Sequence, residues 1–512
     1  MRRLLRIIIS RQAISLSLIF LEILLMLYLI LDATSAFLYL TLSLALLVDG
    51  VALISVINRD ASPEYKLSWA VVVLTLPLLG AILYAIFYRR RITGREERLL
   101  RGIFGQLNSH GSGEGSLDML SVHSADAGGK ARAIIRDDPI AELYMNSSSD
   151  YFDSGEGYFE SLISDLRSAT DFIFLEYFII AEGALWDRIH EILRQKAAEG
   201  VEIRLLYDDF GCMSTLPGMY DRSLRSEGIN TAIFGRISPR MSSVHNNRDH
   251  RKICVIDGRI GYTGGVNIAD EYVNHIVRFG HWKDGGMRLR GDAVRGLIKE
   301  FLSDWDFSAG TVSDYGRYLD CVNATADADG GYYLPFGSGP MPIYPRPSGK
   351  NAFLNLINQA KDYLYITTPY LIIDHELTAA LCNAAVRGVD LRIITPGIPD
   401  KKHIMIMTRS SYPTLIGAGV RIYEYTPGFI HEKSLVCDGE YAVVGTINFD
   451  YRSFNHNFEN AVWMYNTPTV EQVRAGLLAT LDACNEIKKE SCKLTLKEWI
   501  IRNGIRLFAP LL

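Results

Sequence analysis

The sequence predicts an α/β protein of two similar halves that form a pseudo-two-fold catalytic domain, preceded by N-terminal transmembrane helices. Three observations predict it: apolar runs near the N-terminus, a loosely repeated strand–helix–strand pattern, and a polar motif that recurs once in each repeat. The apolar runs are Ile14 to Leu31, Phe37 to Ile57 and Leu67 to Tyr88, each close to the roughly 20 residues that cross the hydrocarbon as a helix. Trp69, Tyr84 and Tyr88 mark the ends of the third run, and Arg89, Arg90 and Arg91 stop it, as interfacial anchors do. Glu22 and Asp49 interrupt the first two runs, and Pro77 and Gly80 lie inside the third. Arg2, Arg3, Arg6 and Arg11 hold the N-terminus on the cytoplasmic side, and the arginines after Tyr88 hold the far end there too. An even number of crossings follows, so one acid-bearing run is expected at the interface or re-entrant. Residues 1–103 are therefore read as a membrane anchor of two or three hydrophobic helices.

From Gly105 to Lys130 the composition turns to Gly, Ser, Asp and His, which reads as a flexible linker over 104–134. Beyond it the chain repeats. DFIFLEYFII near Asp171 matches DYLYITTPYLII near Asp362, and Gly200 to Asp209 (GVEIRLLYDD) matches Gly388 to Gly397 (GVDLRIITPG). Short β-branched and aromatic runs separated by helical patterns are buried parallel strands in βαβ units. Half one is placed at 135–335, half two at 336–492, and LKEWIIRNGIRLFAPLL within 493–512 is an amphipathic tail that lies on a membrane or packs as a last helix.

The formal net charge of −5 supplies no global basic surface for nucleic acid. Seven cysteines without a CxxC pair argue against a disulfide framework and a zinc site.

The chemistry is carried by HxKxxxxD followed by GxxN. It reads His250, Lys252, Asp257 and Asn267 in half one, and His431, Lys433, Asp438 and Asn448 in half two, with the same His-to-Asn spacing. One copy is weak; two copies at matching places in a repeat are not chance. His and Lys at i and i+2 of a strand project from one face. A turn at Asp257-Gly258 or Asp438-Gly439 returns a second strand that brings the Asn to the same place. Lysines and Asn amides suit the non-bridging oxygens of a phosphodiester. One neutral His attacks phosphorus and the other serves as acid and then base. No metal and no cofactor are required, because lysines stand where a phosphatase places cations, and no carboxylate cluster is visible in the sequence. Each imidazole needs an acceptor on its second nitrogen. Asp284 in HWKDGG, following His250, and Glu459 in NHNFEN, following His431, are assigned to that task. Glu176, Asp208 and Asp209, at strand ends, either line an acceptor pocket or cap turns.

These motifs resemble those of the phospholipase D superfamily, from about residue 140 to 490. With LEYFII, LLYDDFG and NFDYRSFNHNFE beside them, the layout is similar to the bacterial cardiolipin synthase family. The resemblance implies His250 as nucleophile, His431 as general acid/base, and Lys252, Lys433, Asn267 and Asn448 around the phosphate. Asp257 and Asp438 complete the catalytic signature and organise the motif. It further implies transfer of a phosphatidyl group between two phosphatidylglycerol molecules to give cardiolipin and glycerol, in the bacterial cell membrane. Hydrolysis, or transfer to another alcohol, uses the same residues. The small residue before x-Asn, often Ser in that superfamily, is Gly265 here in one copy and Thr446 in the other.

Overall fold

The computed structural model describes residues 36–59, 61–87, 94–111, 115–236, 247–322, 325, 327–492 and 496–511. The first apolar run, with Glu22, and the arginines on either side of the three runs at 2–11 and 89–91 lie outside them. Two units are present.

The first unit contains the helices Ala36–Ile57, Pro63–Thr75 and Leu79–Phe87, joined by the last residues of the chain. Among the described residues no helix is long and apolar enough to cross a membrane. The third apolar run is broken, because Pro77 has no N–H to continue a helix and Leu78 takes a left-handed φ of 67°. Asp49 explains itself at this break: both its carboxylate oxygens accept the Leu78 N–H, at 3.1 and 3.2 Å. The C-terminal residues pack here too. Ser68 Oγ donates to the Leu507 carbonyl at 2.6 Å, and Leu511 lies against the Trp69–Tyr84 cluster.

The second unit begins earlier than the sequence suggests. The expected tether at 104–134 is helical, with helices Gly94–Ser109, Ser116–His123 and Ala125–Asp137. Their Leu100, Ile103, Phe104 and Leu107, and then Leu120, Ala127, Ala131 and Ile134, are buried in the core. Gly128 is there for close packing, since a Cβ would fall 2.4 Å from Ser121 Oγ. The anchor boundary at 103 is corrected for the same reason.

Half one supplies β1 (Ser147–Phe152), β2 (Phe172–Tyr177), β3 (Glu202–Asp208), β4 (Asn230–Phe234), β5 (Lys252–Ile256), β6 (Ile260–Gly264), β7 (His281–Lys283) and β8 (Gly286–Gly291). Half two supplies β9 (Tyr332–Ser338), β10 (Tyr363–Thr367), β11 (Leu371–Ile372), β12 (Asp390–Pro396), β13 (Arg421–Tyr425), β14 (Gly428–Ile430), β15 (Ser434–Cys437), β16 (Tyr441–Gly445), β17 (Phe449–Asp450), β18 (Glu459–Tyr465) and β19 (Cys484–Glu486). The first sheet runs β1-β8-β6-β5-β2-β3-β4, and the second runs β9-β18-β16-β15-β10-β12-β13 with β19 added at its edge. Strand for strand the orders coincide. β2-β3-β4 and β10-β12-β13 are parallel, and the motif strands β5 and β15 lie antiparallel to β2 and β10. The half boundary at 335 falls inside β9, which pairs with β18 and belongs to half two.

Alternate strand residues point to opposite faces. Ile173 and Leu175 enter the helix-covered core of half one, while Phe174 and Val255 pack with Val436, Val444 and Val462 of half two. The halves thus share one core.

The signature aspartates sit at the end of β5 and β15 away from the histidines, roughly 20 Å along the chain at strand rise. Their inclusion with the catalytic set is corrected by position. Asp257 and Gly258 have φ of 51° and 64°, and Asp438 and Gly439 have 53° and 73°. Positive φ at both central residues is the turn that matches strand twist, and Asp-Gly adopts it cheaply. The Asp257 carboxylate then accepts from the backbone of Thr170, Asp171 and Phe172 and from the Thr170 hydroxyl, at 2.8 to 2.9 Å. Asp438 does the same for Lys361, Asp362 and Tyr363. Asp257→Ala strands the buried Phe172 N–H, and it is expected to lower unfolding stability by about 2–3 kcal/mol, read as a lower thermal midpoint.

Candidate active site

Each histidine begins its motif one residue after a backbone pairing with the other half. β7 and β14 pair in parallel, and the His431 N–H donates to the Lys283 carbonyl at 2.7 Å. On the other side Asp249 bridges Phe458, and the His250 N–H donates to the Phe458 carbonyl at 2.8 Å. The next residues on the partner segments are Asp284 and Glu459. The ladders therefore cross the pairs: His250 Nδ1 meets Glu459 Oε2 at 2.8 Å, and His431 Nδ1 meets Asp284 Oδ2 at 2.7 Å. Both carboxylates hydrogen-bond a histidine Nδ1, each that of the opposite half. Neither half completes a site alone.

The lysines share the histidines' face. Lys252 Nζ donates to the His250 carbonyl at 2.6 Å, and Lys433 Nζ to the His431 carbonyl. Asn267 uses its amide locally, accepting from Ile179 N at 3.1 Å and donating to the Tyr272 hydroxyl at 2.7 Å. Asn448 is buried after β16, and its amide oxygen has no partner among the described residues. The Gly265–Thr446 difference has a steric cause. A Cβ at Gly265 would lie 2.2 Å from Asp284 Oδ1, whereas Thr446 Oγ1 donates to Glu459 Oε2 at 2.5 Å.

Burial pushes both imidazoles down, His250 to about 4 and His431 to about 3; Glu459 and Asp284 oppose the shift and the lysines reinforce it. Burial also lowers Lys252 to about 8 and Lys433 to about 7. Glu459 and Asp284 are held as carboxylates: burial alone would raise them, but the histidine and lysine partners outweigh it. Near neutral pH the site holds two neutral imidazoles and two carboxylates. Its lysines are just able to keep their protons, so it is poised to take an anion. The kcat/KM profile is therefore expected to fall as pH rises through about 7 to 8, where the free enzyme loses the Lys433 and then the Lys252 charge. Lys433→Arg should carry that limb upward. A profile flat across that range would contradict the assignment.

Aromatic rings that sequence reasoning missed enclose the histidines. Phe178 lies 5.2 Å from His250, and Tyr272 and Trp282 lie 5.4 and 5.5 Å from His431. The available signal was Trp282 two residues before Asp284 in HWKDGG.

Glu176, Asp208 and Asp209 separate. Asp208 caps the short helix Asp209–Cys212, accepting from Phe210 N and Gly211 N. Glu176 is fully buried with Asp249 and Asp304, carboxylate oxygens within 4.8 Å of one another. No such cluster is visible in the sequence because the fold assembles it from three distant segments. Among the described residues these three are grouped closely enough to hold a cation, yet Arg251 already places its guanidinium 3.3 Å from Asp304. Burial drives the carboxyl groups of Glu176, Asp249 and Asp304 upward. None of the seven cysteines is in a disulfide.

Two HxKxxxxD–GxxN units, one per half and locked by crossed carboxylates, define an active site of the phospholipase D type. Residues 162–278 and 353–479 match the model of "Cardiolipin synthase, PLD-like domain", and residues 47–89 match "Phospholipase_D-nuclease N-terminal". The chain is 33% identical over 464 residues to a cardiolipin synthase of Halalkalibacterium halodurans, covering 89% of this chain and 90% of that protein. It is also 33% identical over 500 residues to a cardiolipin synthase of Geobacillus sp., covering 94% and 98%. An uncharacterized protein of Streptococcus mutans is 43% identical over 371 residues, covering 72% and 80%. Among solved structures, phosphatidylserine synthase of Haemophilus influenzae superposes with a TM-score of 0.53 at 14% identity, covering 71% of this chain and 93% of that one, a likeness of fold. The chain belongs to the cardiolipin synthase family.

Proposed function

We propose that this chain transfers a phosphatidyl group from one phosphatidylglycerol to the terminal hydroxyl of a second, releasing glycerol and forming cardiolipin. The observation that carries the reading is the crossed His–carboxylate geometry at the paired motifs. Glu459 holds the His250 Nδ1–H, leaving the Nε2 lone pair to attack phosphorus. The arriving phosphodiester is anionic, and it restores the positive charge that burial disfavours on His431 and the lysines. His431 then takes up a proton from solvent and, steadied by Asp284, gives it from Nε2 to the glycerol oxygen as the P–O bond breaks. The phosphatidyl group is then bonded to His250. The hydroxyl of the second phosphatidylglycerol passes its proton to His431 as its oxygen attacks phosphorus and the P–N bond breaks.

Lys252, Lys433 and Asn448 face the non-bridging oxygens in this reading, and Asn267 supports the wall through Tyr272. The N-terminal apolar runs keep the chain in the bacterial cell membrane as a multi-pass protein, with the catalytic unit on the cytoplasmic side. That places the site where acceptor lipid is concentrated and competes with water.

The test uses detergent-solubilised full-length protein, isotope-labelled phosphatidylglycerol and mass spectrometry of lipids and free glycerol, beside His250→Ala. Cardiolipin and glycerol appearing together, and absent from the variant, is the expected result. Phosphatidic acid without cardiolipin would make the chain a hydrolase.

A further inference from the structure

We propose that the rim of the active site is itself a lipid-docking face, seated on an anionic bilayer surface. This rests on the phosphatidyltransferase reading and adds how the catalytic unit meets its substrate. Large apolar side chains stand exposed beside each histidine. Next to His250, Asp208 caps the helix Asp209–Cys212 and also accepts the Asp249 N–H at 3.2 Å, fixing that helix one residue from the histidine. Phe210 and Met213, on and just after it, are exposed.

On the His431 side, the segment before β7 carries Ile276 and Val277, the latter 76% exposed. Ile398, after β12, is exposed as well. Its N–H donates to the Gly428 carbonyl at 3.1 Å at the start of β14, and its side chain lies against Gly280 just before β7. Both segments thus lie on the ladder that ends at His431.

An apolar rim around a polar, buried centre is unusual for a face that meets only water. Cations stand beside it: exposed Lys401 and Lys402 follow Ile398, and Arg278, which is also paired with Glu271 at 2.9 Å, follows Val277. Apolar side chains ringed by Lys and Arg match an anionic lipid surface, the former entering the acyl boundary and the latter meeting headgroups. The occupant must also leave the centre of the rim open to a phosphodiester. A bilayer does this, because the substrate is part of it.

The test adds tryptophans to the full-length chain reconstituted in vesicles of brominated phosphatidylglycerol and phosphatidylcholine. Bromine on the acyl chains quenches indoles that enter them. Val277→Trp and Phe210→Trp are compared with Val386→Trp, which is 73% exposed on a helix leading to the opposite end of β12. Variants are carried forward when they melt like the parent. The added fluorescence at 277 and 210 is expected to be quenched at least about twofold more than at 386, consistent with burial some 5–10 Å into the interface. Equal quenching at the three sites overturns the proposal. So does a signal at 277 that tracks protein concentration and ignores bromination, because a second copy then covers the face. The readout needs no turnover, so inactivity toward phosphatidylglycerol would defeat the proposed function separately.

Discussion

His250→Ala is expected to lower phosphatidyl transfer at least about 10⁴-fold, because it removes the atom to which the phosphatidyl group is bonded between half-reactions. Its ring is buried, anchored through its backbone N–H to Phe458 and through Nδ1 to Glu459. The residual rate should come from charge stabilisation by Lys252 and Lys433 alone. His431→Ala should be as damaging with glycerol as leaving group. In the first half-reaction it should be far milder with p-nitrophenol, which departs without a proton. That contrast, measured with two substrates on two variants, separates attack from proton delivery.

The second large effect concerns the crossed carboxylates. Glu459→Gln is expected to reduce the rate by roughly 10² to 10⁴, since losing the acceptor on Nδ1 permits the wrong tautomer. The loss should appear in attack, the step performed by the histidine of the other half. Asp284→Asn should cost a similar factor in leaving-group protonation, and a p-nitrophenyl substrate should recover most of it. The opposite assignment, Asp284 serving His250, exchanges the two leaving-group dependences. Thr446 Oγ1 already donates to Glu459, so the amide keeps a partner and the thermal midpoint should move little compared with the rate.

The motifs and their placement were legible because they are local. A strand carrying His and Lys at i and i+2, an Asp-Gly turn and a returning strand with Asn are all written within about twenty residues. The matching strand order of the two sheets follows from the same duplication. The crossed pairing was not legible. Asp284 and Glu459 follow His250 and His431 in sequence, but the β7–β14 ladder and the Asp249–Phe458 bridge reach between halves. Likewise Glu176, Asp249 and Asp304 are isolated acids in sequence and become neighbours only when β2 and the helix Val294–Ala309 pack. Composition misled at 104–134, where glycines that suggest a tether instead let helices approach closely, as Gly128 shows against Ser121. Asp49, an unwelcome acid in an apolar run, makes sense only beside Leu78.

The most direct test of the account is to capture the covalent intermediate. His431→Ala, mixed with a phosphatidyl p-nitrophenyl ester, should release one equivalent of p-nitrophenol in a burst and then stall for want of a base. Peptide mass spectrometry at alkaline pH, where phosphohistidine persists, should find the phosphatidyl group on His250 and on no other residue. A burst-free reaction with no adduct, or an adduct on a residue other than His250, would contradict it.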